Sequence, residues 1–208
     1  MEIVYASNFN GKFSEDKINN FYGDLLDLEE LGIEIEGIIY DDDKKVKRLL
    51  GHNKRVLSIL NYLEIDSDIL NKEIKELSKT EFKWMLLAYL LIINKKYIIF
   101  DYFDVGITYK EQKKLIRIIR KLFKDGYKII VISKNFVFLS QLDSDIIVSV
   151  GSNTLLTGNM LDIVLENSRL FELPEIIKFI NLANKKGAEL TYTFDSKELL
   201  KDIYRGVK

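Results

Sequence analysis

The sequence predicts an α/β fold built on a mainly parallel sheet, and three observations carry that prediction. The stretch from Leu77 to Lys134 reads in order as helix, buried strand, tight turn, amphipathic helix and buried strand, the alternation from which helix-flanked parallel sheets are made. A strand, loop, helix pattern opens the chain, with Ile3, Val4 and Tyr5 as the strand and Ser7 to Ser14 as the polar loop. The 208 residues, 47% of them hydrophobic, are enough for a full core and one compact unit with a small appendage.

In the central stretch, Trp84 to Ile93 is apolar or aromatic throughout and flanked by Lys83 and Lys95. It is too short to cross a bilayer, so it reads as a core helix. Tyr97, Ile98, Ile99 and Phe100 form a short apolar strand that runs into Asp101. A carboxylate at the exit of a buried strand is costly to keep charged unless a cation, often magnesium, or a hydrogen-bond donor meets it. Capping of the following turn is the alternative use of Asp101. Lys110 to Lys124 places Leu115, Ile118, Ile119, Leu122 and Phe123 on one helical face and Lys and Arg on the other. Tyr127 to Ser133 reads as the next buried strand, Asn135 to Leu142 as a short helix and Ile146 to Val150 as another strand, with a closing hairpin expected over Asn153 to Gly158.

Toward the N-terminus, Ile18, Phe21, Leu25 and Leu28 recur at helical spacing, which predicts a helix from Asp16 to Leu28. The loop before it is then the place for a phosphate-binding turn, since such turns aim backbone amides and a helix start at the anion. Gly32 to Tyr40 alternates as a strand, and Asp41, Asp42 and Asp43 followed by Lys44 and Lys45 mark a solvated turn. Three consecutive carboxylates admit a metal reading, but solvent exposure explains them more simply. Residues 44 to 76 predict two or three short amphipathic helices. His52, the sole histidine, has no second ligand or nucleophile at an interpretable spacing, and a structural role fits it best.

Composition excludes several classes of function. The net charge is −1, with Lys and Arg balanced by Asp and Glu, so a polynucleotide or an anionic membrane surface is not the expected partner. The chain has no cysteine, no apolar run of spanning length and no secretory leader, which together predict a cytoplasmic protein.

Beyond Gly158 the composition changes and a second unit is expected, giving domains at residues 1–158 and 159–208. Met160 to Glu166 reads as a helix, Leu173-Pro174 carries the only proline, and Glu175 to Lys186 is amphipathic through Ile176, Ile177, Phe179, Ile180 and Leu182. Gly187 follows as a helix stop, and Ser196 is the expected N-cap of a last helix, Lys197 to Tyr204. So small a helical unit must pack on the main domain or on a second subunit to stay folded.

The central stretch resembles the ATP-binding cassette ATPases of membrane transporters, a P-loop NTPase-like family. In these a signature LSGGQ precedes a Walker B strand ending in Asp-Glu, followed by a D-loop and a switch His. Leu77 and Ser78 stand for the start of the signature, Asp101 for the Walker B Asp at the usual interval, and Lys134 for the switch position. Gly126, Asp145 to Val148, Gly151 and Gly158 continue the pattern in register. The unit from Met160 through Leu173-Pro174 to the closing Ser-Lys-Glu-Leu-Leu resembles the C-terminal extension of energy-coupling factor (ECF) transporter ATPases, which lies between two ATPase subunits. The resemblance implies a cassette core reduced at its N-terminus and in its helical subdomain.

Departures from the pattern are as informative as matches. Lys79 and Thr80 replace the two signature glycines, Tyr102 replaces the catalytic Glu, Thr108 the D-loop Asp and Lys134 the switch His. A phenol, with an unperturbed pKa near 10, cannot serve as a carboxylate base at neutral pH. The only glutamines are Gln112 and Gln141, so no Q-loop Gln is expected. Laying the Walker A motif on the N-terminal loop puts Asn8 on the first Gly, Gly11 on the middle one, Phe13 on the last, Ser14 on the Lys and Glu15 on the magnesium-binding hydroxyl. A shifted register brings Lys12 toward the phosphate. Gly11, Lys12, Ser14 and Asp101 are therefore the expected remnant of a nucleotide site, with Leu77, Ser78 and Lys134 as remnants of the signature and switch.

Three functions remain open on this reading. The first is a catalytically inactive subunit, a pseudoenzyme that dimerises with an active cassette ATPase or binds a transporter's membrane subunit. The second is a residual ATPase of an importer, which alone calls for ATP and magnesium as cofactors. The third is a soluble scaffold or homodimer without a transport role. A peripheral position on the inner face of the cell membrane follows from the resemblance under the first two.

Overall fold

In the computed structural model, which describes residues 3–7, 9–150 and 155–206, a mixed sheet lies between two unequal hydrophobic layers. Its strands are β1 (Ile3–Ala6), β2 (Asn19–Tyr22), β3 (Ile35–Glu36), β4 (Tyr97–Asp101), β5 (Lys128–Ile132), β6 (Asp145–Ser149) and β7 (Leu155–Asn159), in the spatial order β3-β1-β4-β5-β2-β6-β7. The four central strands, β4, β5, β2 and β6, run parallel, while β1, β3 and β7 add antiparallel at the edges.

Side chains on the central strands alternate between the two layers, as the two-residue repeat of a strand requires. Ile98, Phe100, Ile129, Val131, Ile146 and Val148 face the larger core, and Ile99, Ile130, Ile132 and Ile147 the smaller. Because both faces are covered, these strands are apolar throughout, which is why they were legible as short unbroken apolar runs. The larger layer holds α2 (Val46–Leu50), α3 (Lys54–Tyr62), α4 (Lys79–Ile92), α5 (Tyr109–Lys124) and α6 (Phe136–Leu139). The smaller is closed by a helix of only six residues, Leu25–Glu30, here called α1, with Phe9 and Phe13 beside it.

The helices start where their caps allow. Ser78 accepts from the Glu81 amide at 3.2 Å while Glu81 Oε2 accepts from the Ser78 amide at 2.9 Å, a reciprocal box that begins α4. Thr108 caps α5 through the Glu111 amide. These two residues, aligned with the signature and the D-loop, thus have a complete local explanation as helix caps.

The expected helix Asp16–Leu28 is not formed. Asn19–Tyr22 is instead the strand β2, placed between β5 and β6, and helix begins only at Leu25. Ile18 and Phe21 reach opposite layers, so their helical spacing is a coincidence of strand alternation followed by a turn. Two buried asparagines hold β2 in place. Asn19 Nδ2 lies 2.7 Å from Ser14 O and 3.1 Å from Ile129 O, and Asn20 Nδ2 lies 3.0–3.1 Å from the carbonyls of Leu139, Asp143 and Asp145.

Smaller differences follow the same logic. The alternation over Gly32–Tyr40 yields only the two-residue β3, paired at the edge with β1. The last helix, α9, runs Ser196–Gly206, and Asp195 rather than Ser196 receives the Lys197 amide at 2.7 Å. Positions Asn8 and Gly151 lie outside the described residues.

Helix α7 (Met160–Glu166) follows β7 directly, and α8 (Glu175–Lys185) follows a short linker through Pro174. Met160, Val164, Phe171, Ile177 and Phe194 all join the larger core. Phe171 and Phe194 pack on Phe136, whose ring also stacks on Tyr22 at 5.0 Å. The C-terminal segment therefore covers the ends of β2 and β5 with aromatic rings. Among the described residues no helix is long and apolar enough to cross a membrane.

Candidate functional site

The C-terminal ends of parallel strands are where an open α/β sheet presents its crevice, because the loops leaving neighbouring strands diverge there. In this chain the ends of β2, β4, β5 and β6 carry Gly23 and Asp24, Tyr102, Ser133 and Lys134, and Ser149.

These groups meet one another. The Tyr102 hydroxyl lies 2.9 Å from Asp24 Oδ1 and 3.1 Å from the Gly23 carbonyl. Lys134 Nζ lies 3.8 Å from Asp24 Oδ2 and 5.7 Å from the centre of the Tyr102 ring. Asp27, in the first turn of α1, accepts from the Asp24 amide at 2.6 Å and from Ser149 Oγ at 3.0 Å. Gly23 has no room for a side chain: an added Cβ would sit 2.6 Å from the Phe21 ring and 2.7 Å from Asp27 Oδ2. The turn after β2 is thus filled by two carboxylates, one phenol and a close-packed ring.

Tyr102 adopts a left-handed backbone, φ 47°, unusual for a residue with a Cβ. Its amide donates to Ile132 O at 3.0 Å, and its carbonyl, with those of Phe103 and Val105, surrounds the buried Lys83 ammonium at 2.7–3.3 Å. A fixed internal cation thereby pins the loop after β4. Burial, then the hydrogen bond and charge of Asp24, push the Tyr102 phenol well above its usual pKa, so it stays protonated at neutral pH and acts only as a hydrogen-bonding group.

A cleft of about 540 Å³ adjoins this network, bounded by Tyr22, Tyr102, Asp104, Lys134 and Phe136 on one side and by Glu172 to Glu175 on the other. Asp104 is buried; Ser133 Oγ donates to its Oδ2 at 3.0 Å, whereas Oδ1 has no hydrogen-bond partner. Burial raises its pKa above the ordinary carboxylate range, opposed by Ser133, its own amide and the charge of Lys83.

The residues expected from sequence separate into two places. Asp101, at the end of β4, and Lys134, just beyond β5, are both at the crevice. Gly11, Lys12 and Ser14 are not. They precede β2, in a turn anchored at the strands' opposite ends: Ser14 N donates to Asn19 Oδ1, Lys12 Nζ lies 3.5 Å from Leu31 O after α1, and the neighbouring Glu15 contacts Tyr97 and Lys128 at the starts of β4 and β5. Leu77 packs on the core and Ser78 caps α4, apart from the crevice. Gly23, Asp24, Asp27, Lys83, Asp104 and Ser149 are the crevice residues that sequence reasoning missed. A Gly-Asp turn at the end of an Asn-Asn-Phe-Tyr strand was the available signal, hidden by the helical spacing around it.

No protein-family model matches the chain. It is 29% identical over 113 residues, 52% of its length, to an ABC transporter ATP-binding protein of Caldanaerobacter subterraneus subsp. tengcongensis, and spans about 20% of that protein. Among solved structures it is similar to cbiO1 of Clostridium perfringens, part of the ABC transporter complex cbiONQ, with a TM-score of 0.57 and 14% identity over 88% of this chain and 96% of that one. MJ1267, an ATP-binding cassette of an ABC transporter, gives 0.58 and 13% over 82% and 97%. An inward-facing metal-chelate type ABC transporter gives 0.56 and 13% over 78% and 84%. The fold is that of an ATP-binding cassette.

Proposed function

We propose that this chain, which has the ATP-binding cassette fold, is a non-hydrolysing subunit of the ECF-transporter ATPase type, pairing with an active cassette ATPase or with a transporter's membrane subunit. The observation that carries the reading is the Asp24 carboxylate, held between the Tyr102 hydroxyl and Lys134 at the strand ends. Anions bind at such ends through clustered amides and a helix start. Here the turn offers Asp24 and Asp27 instead, and the Asp24 amide is already bonded to Asp27. These residues do not fit a nucleotide's phosphates, so no hydrolytic step is assigned to the chain.

A partner role is consistent with the exposed apolar side chains of α8 and α9, among them Phe179, Leu182, Leu200 and Tyr204. The similar proteins are ABC transporters or parts of them, which supports a position for this chain at the inner face of a membrane.

Affinity capture of the tagged full chain from its native cells, followed by identification of what copurifies, tests the role. Recovery of a complete cassette ATPase or a polytopic membrane protein in stoichiometric amount is expected. Purified chain that hydrolyses ATP by itself, with the rate lost on Asp101→Ala, would overturn the reading in favour of a residual ATPase. A chain recovered only with copies of itself would leave a scaffold.

A further inference from the structure

Every exposed side chain of α5 beyond Tyr109 is a cation: Lys110, Lys113, Arg117, Arg120, Lys121 and Lys124. They recur at intervals of three and four residues, which sets them along one side of the helix over about 21 Å. Glu111, the only carboxylate on α5, is half-buried and accepts from the Trp84 indole at 3.0 Å. Of these cations only Arg117 is in an ion pair among the described residues, with Glu64 at 2.6 Å. Lys113 lies over the Tyr109 ring at 4.4 Å, Lys121 over Tyr62 at 3.6 Å, and Arg120 donates to the Gln141 carbonyl at 2.6 Å, contacts that leave the charge itself uncancelled.

Helix stability does not account for this row. Like charges one turn apart weaken a helix. Lys121 and Lys124 suit the negative end of the helix dipole, but Lys110 stands in the first turn, at the positive end, where a cation is unfavourable. In a chain of net charge −1, such a concentration of cations on one face is what an external anion would offset.

The surroundings limit the shape of that anion. The segment from Glu64 to Asp68 runs beside α5, tied by Lys114 Nζ to the Glu64 carbonyl at 2.9 Å and by Arg117 to the Glu64 carboxylate, and it brings the exposed Asp66 and Asp68 into a cleft shared with Lys114. A membrane surface or a duplex, broader than one helix, would meet these carboxylates as well as the cations. After Tyr109 the row has no exposed apolar side chain to enter a bilayer, and the rings of Tyr109 and Tyr62 each carry a lysine over one face, which leaves bases little to stack on. A narrow acidic segment meets only the row. In a helix its carboxylates repeat at the same pitch of about 5.4 Å that spaces the cations, whereas the same-face repeat of a strand is about 6.6–6.8 Å. Among the described residues no helix of this chain carries an acidic row of that length, so a second copy does not supply it.

We propose that the outer face of α5 docks an acidic α-helix of a partner protein, whose Asp and Glu side chains pair with Lys110, Lys113, Arg117, Arg120 and Lys124. This face lies on a different element from the apolar side chains of α8 and α9, and its use does not depend on the pairing role argued above.

A 16-residue alanine-rich peptide, as long as α5, stapled into a helix with glutamates along one face and titrated with the full chain by fluorescence anisotropy, tests it. A control peptide of the same composition and staple has its glutamates spread around the helix. The one-faced peptide is expected to bind about tenfold tighter than the control, and more weakly as salt rises. Lys113→Gln with Arg120→Gln and Lys124→Gln should weaken it about tenfold. Lys185→Gln with Lys186→Gln and Lys197→Gln, exposed elsewhere on the chain, should not. Equal binding of the two peptides, unchanged affinity of the α5 variant, or tighter binding of polyuridylate or of phosphatidylserine vesicles than of the one-faced peptide would each overturn the proposal. Should the α5 variant not fold, backbone amide shifts of the parent decide: shifts confined to residues 109–125 and 62–68 support the site, and shifts spread over the whole surface overturn it.

Discussion

Tyr102 Oη and Asp24 Oδ1 are 2.9 Å apart, joining the loop after β4 to the turn after β2 across the intervening strand β5. The contact ties together two strand ends that are not neighbours in the sheet. Removing the hydroxyl by Tyr102→Phe keeps the ring beside Lys134 and deletes the bond to Asp24 and the Gly23 carbonyl. The partners are half exposed, so the loss should be about 1 kcal/mol in urea unfolding, and the slope of the transition should not change.

The same turn makes the second prediction. An Ala side chain at Gly23 would overlap the Phe21 ring and the Asp27 carboxylate. Neither can retreat cheaply: Phe21 is fully buried and Asp27 is held by Ser149 and the Asp24 amide. Gly23→Ala should therefore cost about 1–3 kcal/mol. Gly11→Ala, where nothing lies within 4 Å of the added carbon, should leave stability nearly unchanged. A larger effect at Gly11 than at Gly23 would mean that the N-terminal loop, and not the turn after β2, is the tightly packed one.

Nucleotide binding follows from the same chemistry. Calorimetry with ATP and magnesium should give no dissociation constant tighter than about 1 mM, a free energy weaker than about 4 kcal/mol. Charge reversal by Asp24→Lys supplies an ammonium but not the missing cluster of amides, so it should not bring affinity into the micromolar range. Tight binding by the unmodified chain would contradict the reading of Asp24 as an internal occupant.

Much of the fold was legible in the sequence because its informative stretches are ruled by local physics. Tyr97–Asp101, Lys128–Ile132 and Asp145–Ser149 are buried on both faces and read as apolar runs whatever their neighbours. The amphipathic stripe of α5 is likewise local. Strand β2 was not legible, since its place between β5 and β6 rests on Asn19 and Asn20 bonding to carbonyls 110 or more residues away. With β2 misread as helix, the expected turn fell on Gly11 to Ser14, and the turn at Gly23 and Asp24, at the C-terminal ends of the parallel strands, went unread. Asp104 escaped for a related reason: its hydrogen-bond partner Ser133 is 29 residues away in sequence.

Acid sensitivity is expected at the start of α4. The hydrogen bond from Lys72, then the Ser78 amide, holds the Glu81 carboxyl down to about 2. A lowered folded-state value means that the contribution is fully present above the ordinary carboxylate range and fades as pH falls toward 2. The side chain is about a third exposed, which keeps the effect modest. Ser78→Ala removes the other half of the box and should cost about 1 kcal/mol at neutral pH. In Glu81→Gln the loss of stability between pH 5 and pH 2 should be shallower than in the parent. An identical acid profile would show that other carboxylates govern it.

The C-terminal segment allows two roles to be told apart. Phe171, Ile177 and Phe194 are buried in the main core, while Phe179, Leu182, Leu200 and Tyr204 on α8 and α9 are 49–72% exposed. Truncation after Gly158 removes both sets and should destabilise the domain by uncovering Tyr22 and Phe136, so a change of oligomeric state in that variant is not diagnostic. Ile177→Ala isolates the first role and should cost about 2–5 kcal/mol without altering association. Leu182→Ser with Tyr204→Ser isolates the second. Four exposed apolar side chains of this size supply enough area for a docking patch, so this double variant should unfold like the parent yet lose the partner recovered by affinity capture. Light scattering and unfolding on the same samples check both, and an unchanged complex in the double variant would confine the segment to its role as a cover for the ends of β2 and β5.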